Sequence, residues 1–174
     1  MSISVGVRID GTKETLQLLK EFEPELRKRF TENANTIAKP ITDAAKQRYP
    51  DSFVLLSGMQ RAWHTGKGRR LVFPYSQAAA AKGVKVSIRT TKVTRSVISV
   101  VQMNPAASII DMAGKKNATD KGTIFNNRLT SVFAGPSRVM WPAATSHIDG
   151  VSAAMAKLVH EAEVQVSAKL AAYG

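Results

Sequence analysis

The clearest pattern of apolar and polar positions lies between Val84 and Met103. Val84, Val86 and Ile88 alternate with Lys85, Ser87 and Arg89, the period of two expected of a half-buried strand. Arg95 to Met103 follows, with Ile98, Val100 and Val101 forming a nearly continuous apolar run, as in a strand covered on both faces. The pair predicts a β-hairpin turning at Thr90–Thr94. A two-stranded ribbon is marginal alone, so other elements must cover it. Ser4 to Ile9 alternates too, with Val5, Val7 and Ile9 on one side, and can add a strand to the same sheet.

Helical spacing appears at both ends of the chain. Asp10-Gly11 breaks the first strand, and Thr12 is a candidate N-cap for a helix carrying Leu16, Leu18 and Leu19. Pro24 suits the first turn of a longer helix, whose apolar positions are Leu26, Phe30, Ala34, Ile37, Ile41, Ala44 and Ala45. Steps of three and four make one stripe. Pro40 falls inside it and predicts a kink, and Tyr49-Pro50 predicts its end. Near the other terminus Ile148, Val151, Met155, Leu158, Val159, Ala162, Val166 and Leu170 share a face. That helix is expected to open at Trp141-Pro142.

The middle of the chain is less regular. Asp51 to Trp63 reads as a connection too apolar to hang free, and Gly66 to Arg70 as a basic loop tip. Leu71-Val72-Phe73 suggests a short strand and Ala78 to Ala81 a helical turn. Asn104-Pro105 ends the hairpin. Ala106 to Ala113, with Ile109 and Ile110, reads as another strand, and Gly114 to Gly135 as a long polar loop. Loops of that length are functional or disordered, and an arm reaching a neighbour is one reading.

Charge sharpens this picture. The chain has 174 residues and net charge +12, enough for a single domain with a real core. Residues 1–51 carry nine basic and eight acidic side chains, residues 111–174 seven and five, and residues 52–110 nine basic and none acidic. A stretch without a carboxylate predicts a positive face that attracts phosphates or an acidic protein. There is no cysteine, so no disulfide framework and no thiolate zinc site. No apolar run is long enough to cross a bilayer. Met1 to Val5 lacks the charged start and apolar block of a signal peptide, so synthesis in a cytosol is expected.

Catalytic signatures are absent from the sequence. His64, His147 and His160 lack ligand spacing, and there is neither His-Glu-x-x-His nor Gly-x-Ser-x-Gly. Gly66-Lys67-Gly68-Arg69-Arg70 is not a phosphate-binding P-loop. Asp111 and Asp120 read as surface charges in a lysine-rich loop. No catalytic, cofactor or metal site is expected, and the chain reads as a non-enzyme.

Four segments, in order, carry a family likeness. Gly11-Thr12-Lys13-Glu14-Thr15-Leu16 is similar to a Gly-Leu-Asp-Glu-Leu helix start. Ala38 to Lys46 is similar to an Ala-Lys-Pro-Val helix with its internal proline. Ser57-Gly58-Met59-Gln60-Arg61-Ala62-Trp63 is similar to a Thr-Gly-x-Leu-Arg segment. Ser137 to Val151 is similar to a Pro-Phe-Leu-Arg-Pro-Ala entry to the last helix. The chain thereby resembles the tail-completion or minor tail proteins of long-tailed bacteriophages. It departs from them at Ala106 to Gly114, which replaces a Tyr-Ala-x-Phe-Val-Glu-Phe-Gly-Thr run, and residues 64–83 read as an insertion in one domain of 1–174.

The resemblance implies an α+β fold, a small mostly antiparallel sheet packed against a long kinked N-terminal helix and a C-terminal helix, with an arm at 114–135. It implies a structural virion protein at the head–tail junction (neck), made in the bacterial cytoplasm. Such a protein forms a ring, hexameric by expectation, that completes the tail and joins it to the head. Its partners would be other copies of itself, the neck, head-completion and tail-tube proteins, and the genomic DNA in the lumen, with no membrane, cofactor or small-molecule substrate. Inter-subunit contacts are expected at Ile98, Val100, Ile109, Ile110, Lys115, Lys116 and Phe125. Partner- or DNA-facing cations are expected at Arg69, Arg70, Lys85, Arg89, Lys92 and Arg95. The alternative of a different class is a free, basic, sequence-independent nucleic-acid-binding protein. The chain has no known binding motif and 6% aromatic residues, which gives stacking on single strands little support.

Overall fold

The computed structural model describes residues 3–7, 19, 24–50, 63–65, 68–70, 75–88, 98–114, 120–133 and 135–173. Among these the chain is mostly helical with a small antiparallel sheet. In order the elements are β1 (Ile3–Val7), α1 (Pro24–Ile37), α2 (Lys39–Arg48), β2 (Trp63–Thr65), β3 (Gly68–Arg70), α3 (Gln77–Gly83), β4 (Val84–Ile88), β5 (Ile98–Gln102), α4 (Pro105–Met112), α5 (Asp120–Phe133), α6 (Met140–Thr145) and α7 (Ile148–Tyr173).

The expected hairpin is the heart of the sheet. β4 and β5 pair antiparallel from Val84 opposite Gln102 to Ile88 opposite Ile98. β1 joins the other edge of β5, Ile3 opposite Gln102 and Val7 opposite Ile98, so the order is β1-β5-β4. The central place of β5 explains its apolar run: Ile98, Val100, Val101 and Gln102 are all buried, with only Ser99 between them half-exposed. Such a strand is shielded on both faces and paired on both edges by its own chain. β2 and β3 form a separate ribbon, Trp63 opposite Arg70 and Thr65 opposite Gly68. The basic stretch expected as a loop tip is therefore partly strand.

Pro40 breaks the N-terminal helix into two. Its missing N–H removes one helical bond to the Thr36 carbonyl. Ala38, at φ −79° and ψ −7°, carries the chain from α1 to α2. The helical bonds around the break persist, Ala38 N–H to the Ala34 carbonyl at 3.0 Å and Thr42 N–H to the Ala38 carbonyl at 3.2 Å. The buried stripe runs straight through it: Phe30, Ala34, Ala38, Ile41, Ala45 and Tyr49. The long C-terminal helix α7 contacts α1, and buries Val151, Met155, Leu158, Val159, Ala162 and Val166, at the spacing read from the sequence.

Three expectations are corrected. Ala106–Ala113 is not a strand: it lies largely in helix α4. Asn104 caps it by accepting the Ala107 N–H at 2.9 Å, and Pro105 fits its first position. The stretch from Gly114 to Gly135 is not a structureless loop. It holds α5, whose Leu129 is fully buried and whose Phe125 and Phe133, four residues to either side of it on the same face, pack on the core. The last helix does not open at Trp141-Pro142. Those residues belong to α6, which ends in a turn where Ser146 Oγ donates to the Ala143 carbonyl at 3.0 Å and His147 N–H to the Ala144 carbonyl at 3.0 Å. α7 begins only at Ile148.

The covering of the sheet also differs from expectation. α2 packs on β4 and α6 on β1, while α7 packs chiefly on α1. The N-terminal helix candidate around Leu16, the connection 51–62, the strand candidate Leu71–Phe73 and the turn 90–94 lie outside the described residues, apart from the buried helical residue Leu19.

Candidate functional site

The sequence-selected cations are spread over different elements. Lys85 is exposed on β4, opposite Val101. Arg69 and Arg70 are in β3. Arg89, Lys92 and Arg95 fall between β4 and β5, outside the described residues. Of the expected contact residues, Ile98, Val100 and Ile110 are buried in the chain's own core, and Ile109 and Phe125 are partly buried against it. Their burial therefore needs no neighbouring subunit. Lys115 and Lys116 are outside the described residues.

The most organised polar site was read from the sequence as a surface charge. Asp111, near the end of α4, is fully buried. Its Oδ1 accepts the Val139 N–H at 2.6 Å and the Ser137 hydroxyl at 3.0 Å. The Met140 N–H approaches both carboxylate oxygens at 3.4 Å. These are orphan donors at the start of α6, and Val139, the residue before it, has no side-chain cap to offer. A carboxylate from another helix fills that role, with the helix dipole favouring its charge. Asp120, its supposed companion, begins α5 instead.

Arg138 locks the same junction. It is 5% exposed, and its Nη1 donates to the carbonyls of Ile110 at 3.0 Å and Asp111 at 3.3 Å. Its backbone N–H donates to the Asp111 carbonyl at 3.2 Å. Burial draws the guanidinium pKa down, and the nearby Asp111 charge opposes that shift. This network ties the end of α4 to the segment that leads into α6.

A second buried polar group joins α2, α3 and β5. Gln102 is fully buried. Its Nε2 donates to the Ala80 carbonyl at 3.0 Å, and its Oε1 accepts the Asn104 N–H at 2.7 Å. Tyr49 is 1% exposed, and its hydroxyl lies near Gln102 without a hydrogen bond of good geometry. Burial pushes its phenol pKa well up. Gln77 Nε2 donates to the Tyr49 carbonyl at 3.1 Å, and the Tyr75 hydroxyl to the Pro50 carbonyl at 2.8 Å.

An open groove of about 450 Å³ runs between the α1–α2 break and the α6–α7 turn, lined by Ile37, Pro40, His147, Ile148, Asp149 and Val151 among others. It offers one imidazole and one carboxylate, both on exposed residues. Among the described residues no group of three or more His, Cys, Asp or Glu side chains is placed to hold a metal ion. No described helix is long and apolar enough to cross a membrane. Comparison with protein-family models, curated proteins and solved structures finds no match.

Proposed function

We propose that this chain is a structural subunit of the phage head–tail junction, assembling into a homo-oligomeric ring, hexameric by expectation, that completes the tail and joins it to the head around the DNA channel. The observation that carries the reading is the coarse architecture, a small antiparallel sheet with long helices near both ends of the chain. The motifs imply a small antiparallel sheet with N- and C-terminal helices; the chain has such a sheet, with strands from the N-terminus and the central hairpin, and α7 packs on α1 rather than on the sheet. In this reading the sheet, with α2 and α6 on it, is the rigid α+β body of each subunit. Exposed apolar side chains on the helices, Ile124, Val132, Trp141 and Val164, offer contact positions to neighbours. No catalytic step or cofactor is part of this role, and the carboxylate-free segment 52–110 would face an acidic ring or DNA.

The test is the mass of the full-length protein, alone and mixed with tail-tube or head-completion proteins. A closed ring near six subunits in either condition supports the reading. A protein that stays monomeric with every such partner overturns it and leaves the free nucleic-acid-binding alternative.

A further inference from the structure

We propose that the two outer edges of the sheet join subunits head to tail, β4 of one copy beside β1 of the next, in parallel. The inference rests on the ring reading and names the contact between its subunits. Among the described strands β4 and β1 are the outer pair, each bonded to β5 along one edge. Both run antiparallel to β5, so they point the same way. A joint that continues the sheet from one copy into the next is therefore parallel.

The ladder decides which backbone groups point outward. Met103 N–H donates to the Gly83 carbonyl at 2.9 Å, so that opposed pair is hydrogen-bonded, and bonded and non-bonded pairs alternate from there. Lys85 and Ser87 turn their backbone groups to β5, and Val84, Val86 and Ile88 turn theirs outward. The Val84 N–H agrees, since it bonds to the Ala81 carbonyl instead. By the same alternation β5 turns Ile98, Val100 and Gln102 to β1, which leaves Ser4 and Gly6 directing theirs outward. Among the described residues no backbone bond reaches the outward groups of Val86, Ile88, Ser4 or Gly6.

The two sets interlock through the slanted bonds of a parallel pair. With Val86 opposite the neighbour's Val5, the neighbour's Ser4 N–H donates to the Val84 carbonyl and the Val86 N–H to the Ser4 carbonyl. The Gly6 N–H then donates to the Val86 carbonyl and the Ile88 N–H to the Gly6 carbonyl. Lys85 stands opposite Ser4, and β1 has no charged residue, so no like charges are opposed. β4 has no proline to blunt its edge. Val86 and Ile88 are only half-buried, whereas their partners Val100 and Ile98 are buried. A two-fold pairing of β4 with a second β4 would leave each β1 edge bare. The unlike joint, repeated round a closed ring, leaves neither edge bare.

The experiment is oxidative cross-linking of the full-length protein carrying Ser4→Cys and Lys85→Cys, alone and with tail-tube or head-completion proteins. The chain has no cysteine of its own. Opposed residues on paired strands lie about 4.8 Å apart, within disulfide reach. Within one chain both positions stand opposite Val101, about 9.6 Å apart across β5, too far to bridge. A denaturing gel should show a ladder up to ring size. Gly6→Cys with Lys85→Cys, offset by two residues, should cross-link far less. Val86→Pro removes an outward N–H and no bond to β5, so it should leave folded monomers with unchanged far-UV circular dichroism. If a ring of normal mass forms without the ladder, the inference is overturned and the ring reading stands. A ladder that stops at dimers overturns it as well, since that describes a two-fold contact. So does a cross-link from Lys85→Cys to another protein, which makes the occupant a foreign strand. A protein that stays monomeric in every mixture overturns both readings, and the mass separates these cases.

Discussion

Asp111 at the end of α4 caps α6 by accepting the Val139 N–H at 2.6 Å, across 28 residues of sequence. The capping group is thus tertiary, and it ties the region after the sheet to the entry of the C-terminal helices. Asp111→Ala leaves the Val139 and Met140 N–H groups and the Ser137 hydroxyl without that acceptor in a buried site, while the bonds of Arg138 to the Ile110 and Asp111 carbonyls remain. Unsatisfied buried donors cost about 1–3 kcal/mol each, so a total loss of about 3 kcal/mol is expected in urea unfolding. Asp111→Asn keeps an acceptor oxygen and should lose clearly less. Equal losses for the two variants would show that the charge, not the cap, is what matters.

Gly83 is required by Gln102. A Cβ at Gly83 would overlap Gln102 Oε1 and sit 2.9 Å from the Cβ and backbone nitrogen of Asn104. Gln102 cannot yield, because it is fully buried and bonded at both ends of its amide. Gly83→Ala should therefore destabilise by about 1–3 kcal/mol through overpacking, although alanine is the better helix former. A thermal shift upward would mean that the junction has room which the packing denies.

Tyr49 supplies a pH dependence. Burial raises its phenol pKa above the ordinary 10.0, so the unfolded chain ionises first. The folded state then binds the extra proton, and stability falls as pH climbs past about 10, by about 1.4 kcal/mol per pH unit for one group. Below that range this group contributes no slope. Tyr49→Phe removes the ionisable group, and with no hydrogen bond to lose it should be near neutral at pH 7 and more resistant to alkali. Identical alkaline unfolding curves for the two proteins would refute this.

α5 separates a body helix from an arm. Leu129 is fully buried, whereas Ile124 and Val132 are 56% and 53% exposed. Leu129→Ala should cost about 2–5 kcal/mol, while Ile124→Ala and Val132→Ala should stay within about 0.5 kcal/mol. If α5 presents its outer side to a neighbour, Ile124→Glu with Val132→Glu lowers the assembled mass and leaves the monomer folded. An unchanged ring mass would remove that surface from the interface.

The cations can be tested as a charge set. Lys85, Arg89, Lys92 and Arg95, all changed to Glu, should block joining of tail to head while the monomer stays folded. Normal virion yield from that variant would sink the electrostatic contact.

What the sequence by itself determined is the part governed by local periodicity. The alternation at Val84–Ile88 and the apolar run at Ile98–Val101 specified the hairpin. The three-four spacing specified the buried faces of α1, α2 and α7, and Pro40 marked the break between the first two. Asn104-Pro105 held a legible helix start that the β-branched Ile109-Ile110 pair obscured. α5 was hidden because Gly122, Thr123, Asn126, Asn127 and Thr130 are poor helix formers; Leu129 in the core and the Asn126 Nδ2 bond to the Gly114 carbonyl at 2.6 Å outweigh them. The buried state of Asp111, Arg138 and Gln102 was decided only in three dimensions. A carboxylate, a guanidinium or an amide belongs at the surface unless distant backbone groups satisfy it, and residues 28 and 22 positions away do so here. No local pattern encodes such a partner, because the bond exists only once the helices have packed.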